Sequence, residues 1–106
     1  MKYIIILSTI NELNKAKEIS KHLLQKKLCA CVNLIPKITS LYTWKNEFVE
    51  DNEILMLIKT KENLFEAVKN EINKLHPYET AEIISFEIKN GNKDYLNWIF
   101  ENTINI

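Results

Sequence analysis

Residues 76–82, His76-Pro77-Tyr78-Glu79-Thr80-Ala81-Glu82, gather the side chains of this sequence best equipped for chemistry. One imidazole with two carboxylates, Glu79 and Glu82, is a reasonable ligand set for a divalent ion such as copper or zinc. A structural reading competes with it. Pro77 should stop a helix just before itself, and an imidazolium at position 76 would cap that helix's last carbonyls. The other histidine, His22, is expected on the solvent flank of the first helix as ordinary surface. Lys59 is the odd residue after the apolar run Ile54–Ile58. It either ends its strand in solvent or pairs with Glu53 or Glu82, and a buried lysine–carboxylate pair in a cleft would mark a site. Tyr42, Trp44 and Tyr78 could stack on a ligand, although anchoring a subunit interface is the commoner use of such rings.

Missing parts exclude several activities. All 14 basic residues are lysine, balanced by 14 acidic ones, so there is no guanidinium fork for phosphate and no net field favouring nucleic acid or an anionic membrane. The single glycine, Gly91, rules out a glycine-rich phosphate loop. No Ser-His-Asp arrangement is convincing, and a small hydrolase using Glu82 or His76 as base would lack a nucleophile. That reading ranks last, and no enzyme is expected. Cys29 and Cys31, the only cysteines, would share one face of a strand with Cα atoms about 7 Å apart, too far for a comfortable disulfide. They read as small buried hydrophobes in a reducing compartment. The apolar run Tyr3–Leu7 is too short to span a membrane and lacks a cleavage pattern after it, so a cytoplasmic location is expected.

The elements that must position these residues fit one domain over residues 1–106. Tyr3–Ser8 reads as a central strand. A helix over about Asn11–Lys27 would open on a Thr9/Glu12 capping box, with Asn11 as a competing cap, and bury Leu13, Ala16, Ile19, Leu23 and Leu24. Cys29–Trp44 and Phe48–Lys59 read as the arms of a long hairpin reversed at Lys45-Asn46. The first arm, 16 residues, spans roughly 50 Å, against a diameter of roughly 35 Å for a domain of this size. The hairpin should therefore both bend at Pro36 and reach onto another subunit. A second helix should start at Thr60 and end before Pro77. A strand over Glu82–Ile88, a turn at Asn90-Gly91 and a last helix over Asp94–Thr103, anchored by Tyr95, Trp98 and Ile99, complete the chain. The order strand, helix, strand, strand, helix, strand makes an α+β, ferredoxin-like (βαββαβ) antiparallel sheet with an extra C-terminal helix. Its second face has no element left to cover it, which predicts self-association.

Several segments are specific enough to name a family. Ala30-Cys31-Val-Asn33-Leu-Ile-Pro36, Ser40-Leu-Tyr42-Thr-Trp44, Glu53 to Lys59-Thr60, His76-Pro77-Tyr78-Glu79 with Glu82-Ile83, and Tyr95-Leu-x-Trp98 resemble, in order and spacing, the CutA divalent-cation tolerance family. The resemblance implies a homotrimer whose hairpins wrap neighbouring subunits, an architecture shared with the PII signalling proteins. It also implies copper binding and a cleft between subunits lined by Cys31, Trp44, Lys59, His76, Tyr78 and Glu82. Asn46 stands where the family usually has glycine, a replacement asparagine can make conformationally. Ala81 stands where it usually has proline, which loosens the loop after Tyr78.

Two functions are expected from these readings. In the first, a homotrimer binds copper or another divalent cation through His76 with Glu79 or Glu82, and with Cys31 as a further candidate ligand. In the second, a PII-like trimer takes a small anionic metabolite or a partner protein, with Lys59 as counter-charge and Trp44 and Tyr78 as contact surface.

Overall fold

Two unusually long strands dominate the computed structural model, which describes residues 1–106. β2 runs Cys31–Trp44 and β3 runs Glu47–Lys61. The reversal falls at Lys45-Asn46, and both residues adopt the left-handed backbone (φ 50° and 66°) that suits a two-residue turn between twisted strands. The molecule measures 44 × 26 × 21 Å. The hairpin tip is bare, with Phe48 96% and Leu41 74% exposed.

The expected bend at Pro36 is a β-bulge. Ile35 faces Leu55 and Ile38 faces Glu53, so Pro36 and Lys37 together oppose Ile54. Pro36 has no N–H to donate, and Lys37 takes a left-handed φ of 59°.

β1 (Tyr3–Ile10) lies between β3 and β4 (Ile83–Glu87), antiparallel to both, giving the strand order β2-β3-β1-β4. Ile4, Ile6 and Ile10 of β1 and Ile54, Met56 and Ile58 of β3 alternate toward one face. There they meet Ala16, Ile19 and Leu23 of α1 (Leu13–Gln25) and Val68 and Ile72 of α2 (Phe65–Leu75). Each fully buried Ile, Leu, Met or Val contributes about 1.5–3 kcal/mol, so this face holds the fold together. The result is an α+β protein with a four-stranded antiparallel sheet and three helices.

The helix starts differ from expectation. Thr9 and Ile10 stay in β1, paired with Leu55 and Ile54, so the Thr9/Glu12 capping box does not form and α1 begins at Leu13 without a side-chain cap. Thr60 likewise stays in β3 opposite Ile4, and its hydroxyl donates to the Leu28 carbonyl at 2.6 Å. A single 3-10 turn, Glu62–Leu64, then leads into α2. In both places the ladder offers backbone hydrogen bonds together with apolar burial, and a cap offers only the former.

The opposite face carries Ile5, Leu7, Leu55 and Leu57, half-buried, with Ile35, Ile84 and Phe86 43–53% exposed. It is not wholly without cover, because α3 (Lys93–Glu101) packs on its β3 side. Asn92 caps α3 by accepting the Asp94 N–H at 3.2 Å. Of the three expected anchors only Ile99 is buried; Tyr95 and Trp98 stack on each other at 5.6 Å and stay about 40% exposed. Gly91 has no left-handed φ; instead a Cβ there would lie 3.1 Å from Leu96. Lys61, unremarked in the sequence, is fully buried beneath α3. Its ammonium lies 4.2 Å over the Phe100 ring and donates to the carbonyls of Thr103 (3.2 Å) and Ile104 (3.0 Å) and to Asn105 Oδ1 (2.8 Å). Burial lowers its pKa from the ordinary lysine value.

Candidate functional site

A cleft of about 610 Å³ opens between the outer half of the hairpin and the α2–β4 connection. The hairpin supplies Ser40, Leu41, Tyr42, Trp44, Asp51 and Glu53. The connection supplies Tyr78, Glu79, Thr80 and Glu82, and Thr9 at the end of β1 completes the lining.

The bulge determines which hairpin side chains reach this cleft. Before it, Cys31, Asn33 and Ile35 are paired with Lys59, Leu57 and Leu55 and share their face. The extra residue shifts the alternation of β2, so beyond it Ser40 opposes Asp51 and Trp44 opposes Glu47. Tyr42 and Trp44 therefore join Asp51 and Glu53 on one face; without the bulge they would point to the other.

Glu53 sits deepest. It is 5% exposed, and its Oε2 accepts the Tyr78 hydroxyl at 2.7 Å, while no donor is found on Oε1. Tyr42 donates a longer bond, 3.5 Å, to Asp51 Oδ2. Burial, then the Glu53 bond and charge, raise the Tyr78 pKa well above the usual phenol value. Tyr42 is raised in the same direction, by desolvation first and then by Asp51 and Glu53. Both phenols thus remain donors at neutral pH. Four carboxylates line the cleft and no lysine does. Of the four, only Glu53 is buried; Asp51 is half-buried, and Glu79 and Glu82 are exposed.

His76 is buried beside the cleft, and both of its ring nitrogens meet backbone groups. Its Nε2 is 2.8 Å from the Thr9 carbonyl, an acceptor only, so Nε2 carries the proton. Its Nδ1 accepts the Tyr78 N–H at 3.1 Å, so that nitrogen is bare. Both ring nitrogens are engaged, which leaves none for a metal within this protomer, and no side-chain bond runs to the α2 carbonyls. The ring packs edge-on against Tyr78 at 4.6 Å. His76 is the residue that orients Tyr78.

The remaining predicted residues divide. Trp44, Tyr78, Glu79 and Glu82 come together at the cleft. Cys31 and Lys59 do not. Lys59 pairs with neither Glu53 nor Glu82: its ammonium donates to Asn33 Oδ1 at 2.6 Å and lies 5.8 Å from the Tyr95 ring centroid. The half-exposed Cys31 thiol is 3.8 Å from the same Asn33 oxygen. Lys59 lies six positions beyond Glu53 along β3, roughly 20 Å, and Lys59 and Trp44 lie at opposite ends of the hairpin. Cys29 precedes β2 and is buried; desolvation pushes its thiol up to about 12. His22 is not plain surface either, since its Nε2 lies 2.6 Å from Glu71 on α2.

No three His, Cys, Asp or Glu side chains of one protomer converge on a point that could hold a metal ion. The His76–Cys31 set therefore does not fit a metal within a single chain, whereas the cleft carboxylates have suitable donor chemistry but are spread around a wide space. Neither Asp51 nor Glu53 stands out in the sequence as a residue of this cleft. Their i, i+2 spacing was a usable signal, but matching it to Tyr42 and Trp44 requires the bulge.

Residues 4–102 match the family model described as CutA1 divalent ion tolerance protein. The divalent-cation tolerance protein CutA of Thermus thermophilus is 42% identical over 99 residues, covering 93% of this chain and 96% of that protein. Human protein CutA is 49% identical over 84 residues, 79% of this chain and 47% of its own length, so the chain spans about half of that relative. CutA1 from Oryza sativa superposes with a TM-score of 0.95 at 34% identity, covering 98% of this chain and 95% of the other. Shared architecture and a match over nearly every residue agree with the motifs read from the sequence: this chain is a member of the CutA divalent-ion tolerance family.

Proposed function

We propose that this protein serves divalent-cation tolerance as a cytoplasmic homotrimer of ferredoxin-like topology, and that the cleft between hairpin and α2–β4 connection takes up copper or another divalent cation. The observation carrying this reading is Glu53, a buried carboxylate with an open oxygen, in a cleft with three further carboxylates and no lysine. Glu79 and Glu82 stand at the exposed rim, Tyr78 and Trp44 form the walls, and His76 holds Tyr78 in place. Because no three donors of one chain converge, a neighbouring copy or water completes the coordination. The strand order β2-β3-β1-β4 supports the topology. The exposed Ile84 and Phe86 on the open sheet face and the bare tip residues Leu41 and Phe48 support assembly, since large apolar side chains left in water gain free energy when another copy covers them. Assembly would lay one hairpin against the sheet face of the next copy, where Cys31 and Lys59 lie. Two unpaired cysteines favour a reducing compartment. Copper is the ion to test first, because it binds a given oxygen and nitrogen set most tightly among first-row divalent ions.

The alternative, an anionic metabolite held by Lys59 and Trp44, is disfavoured by the four carboxylates that line the cleft together with Trp44. Native mass spectrometry with copper added stepwise tests the proposal. A trimer taking up copper in whole-number steps, with uptake lost in a Glu79→Gln/Glu82→Gln variant, supports it. A monomer removes the assembly, and unchanged uptake in that variant removes the cleft.

A further inference from the structure

The Asn90-Gly91 turn joins β4 to α3 and takes no part in the cleft. Gly91 is the only glycine, so Asn90 is the only asparagine followed by one. The fold does not use that glycine for a left-handed turn, since its φ is not positive. Both residues are exposed, and they lie beyond the last paired residue of β4, at the end of the sheet rather than on its open face. Neither the Gly91 N–H nor the Asn90 side-chain amide is engaged in a hydrogen bond within the protein. With no Cβ beside it, the Gly91 nitrogen is open to the Asn90 side-chain carbonyl carbon, Cγ.

From this juxtaposition we infer that Asn90-Gly91 is a site of spontaneous modification, where the asparagine converts to isoaspartate and loosens the seat of α3. The Gly91 nitrogen gives up its proton and bonds to Asn90 Cγ. The Cγ–Nδ2 bond breaks and ammonia leaves with that proton, closing a cyclic imide. Water then opens the ring. Breaking the new bond from Gly91 N to Cγ yields aspartate. Breaking the original peptide bond yields isoaspartate, whose main chain runs through Cβ and is longer by one methylene. Water is the only co-reactant, and no oxidation state changes.

The packing of this turn gives the conversion its consequence. A Cβ on Gly91 would already lie 3.1 Å from Leu96 of α3, so the turn sits close against the helix. Asn92 caps α3 by accepting the Asp94 N–H at 3.2 Å, and its carbonyl accepts the Leu96 N–H at 3.0 Å. An extra methylene just ahead of these residues shifts both contacts. Aspartate at the same position keeps the chain length and places a negative charge before a helix N-terminus, where it is favourable. The two products therefore differ in effect.

Ageing the intact protein in buffers of increasing pH, followed by peptide mapping and isoaspartate-specific methyl labelling, tests the inference. Asn90 should convert at least about tenfold faster than any other asparagine, at a rate that rises with hydroxide, and isoaspartate should exceed aspartate. Asn90→Gln should stop the conversion, because its larger ring closes far more slowly. In the isoaspartate fraction, the Leu96 amide should exchange at least about tenfold faster than in the unmodified protein. Asn90→Asp should keep the unmodified exchange rate. Conversion spread evenly over the asparagines, or seen only after unfolding, would overturn the site. An unchanged Leu96 rate in the isoaspartate fraction would overturn the loosening of α3.

Discussion

His22 on α1 and Glu71 on α2 meet at 2.6 Å, and this contact ties the two helices together on the outside of the core. Lys74 (2.8 Å) and Lys26 (3.3 Å) converge on the same carboxylate, which is itself buried. Hydrogen bonds from Lys74 first, then His22, outweigh desolvation and lower the Glu71 pKa from 4.5 to about 2.

That shift fixes the sign of an acid response. A carboxylate whose folded pKa lies below its unfolded value contributes stability that is full above the unfolded pKa and lost as pH falls through the folded one. Thermal unfolding should therefore show Tm falling between pH 4.5 and pH 2 through this group. Glu71→Gln should lower Tm at pH 7 and flatten the fall in that window. An unchanged acid profile in the variant would show that Glu71 is not its source.

Lys61 makes a second prediction. Its ammonium joins the end of α3 and the C-terminal tail to β3 through three oxygen acceptors. A hydrogen bond to a charged group is worth about 1.5–3 kcal/mol, so Lys61→Met should release the tail more than it unfolds the core. The amide of Ile104, which donates to the Lys27 carbonyl at 2.9 Å, should exchange at least about tenfold faster, about 1.4 kcal/mol of lost protection. Core amides of β1 should keep their rates.

At the hairpin tip, Lys45 and Asn46 both occupy left-handed backbone. A lysine there carries a penalty of about 1–2 kcal/mol, and asparagine and glycine carry less. Lys45→Asn with Asn46→Gly should raise stability by about 1 kcal/mol, measured by denaturant midpoint at unchanged slope. A lower midpoint would mean that the Lys45–Trp44 contact outweighs backbone strain.

Much of the fold was legible in the residues. The continuous apolar run Ile54–Ile58, the reversal at Lys45-Asn46 and the stop at Pro77 are local features, set by side-chain character and by which backbone angles each residue tolerates. Helix starts were less legible, because Thr9 and Thr60 are good caps that long-range pairing kept in strands. The candidate site was legible in part: Trp44, Tyr78, Glu79 and Glu82 were found, and the company they keep was not.

The sequence by itself determined the order and type of the elements, the overlong hairpin with its bend, and family membership, since each is encoded in contiguous residues. Only the tertiary structure decided that Tyr42 and Trp44 face Asp51 and Glu53, that both nitrogens of His76 are engaged, and that Lys61 is buried. The first depends on a one-residue bulge that reverses alternation between paired strands. The other two depend on partners 67 and at least 42 residues away in the chain, and no local pattern records which distant carbonyl a side chain will meet.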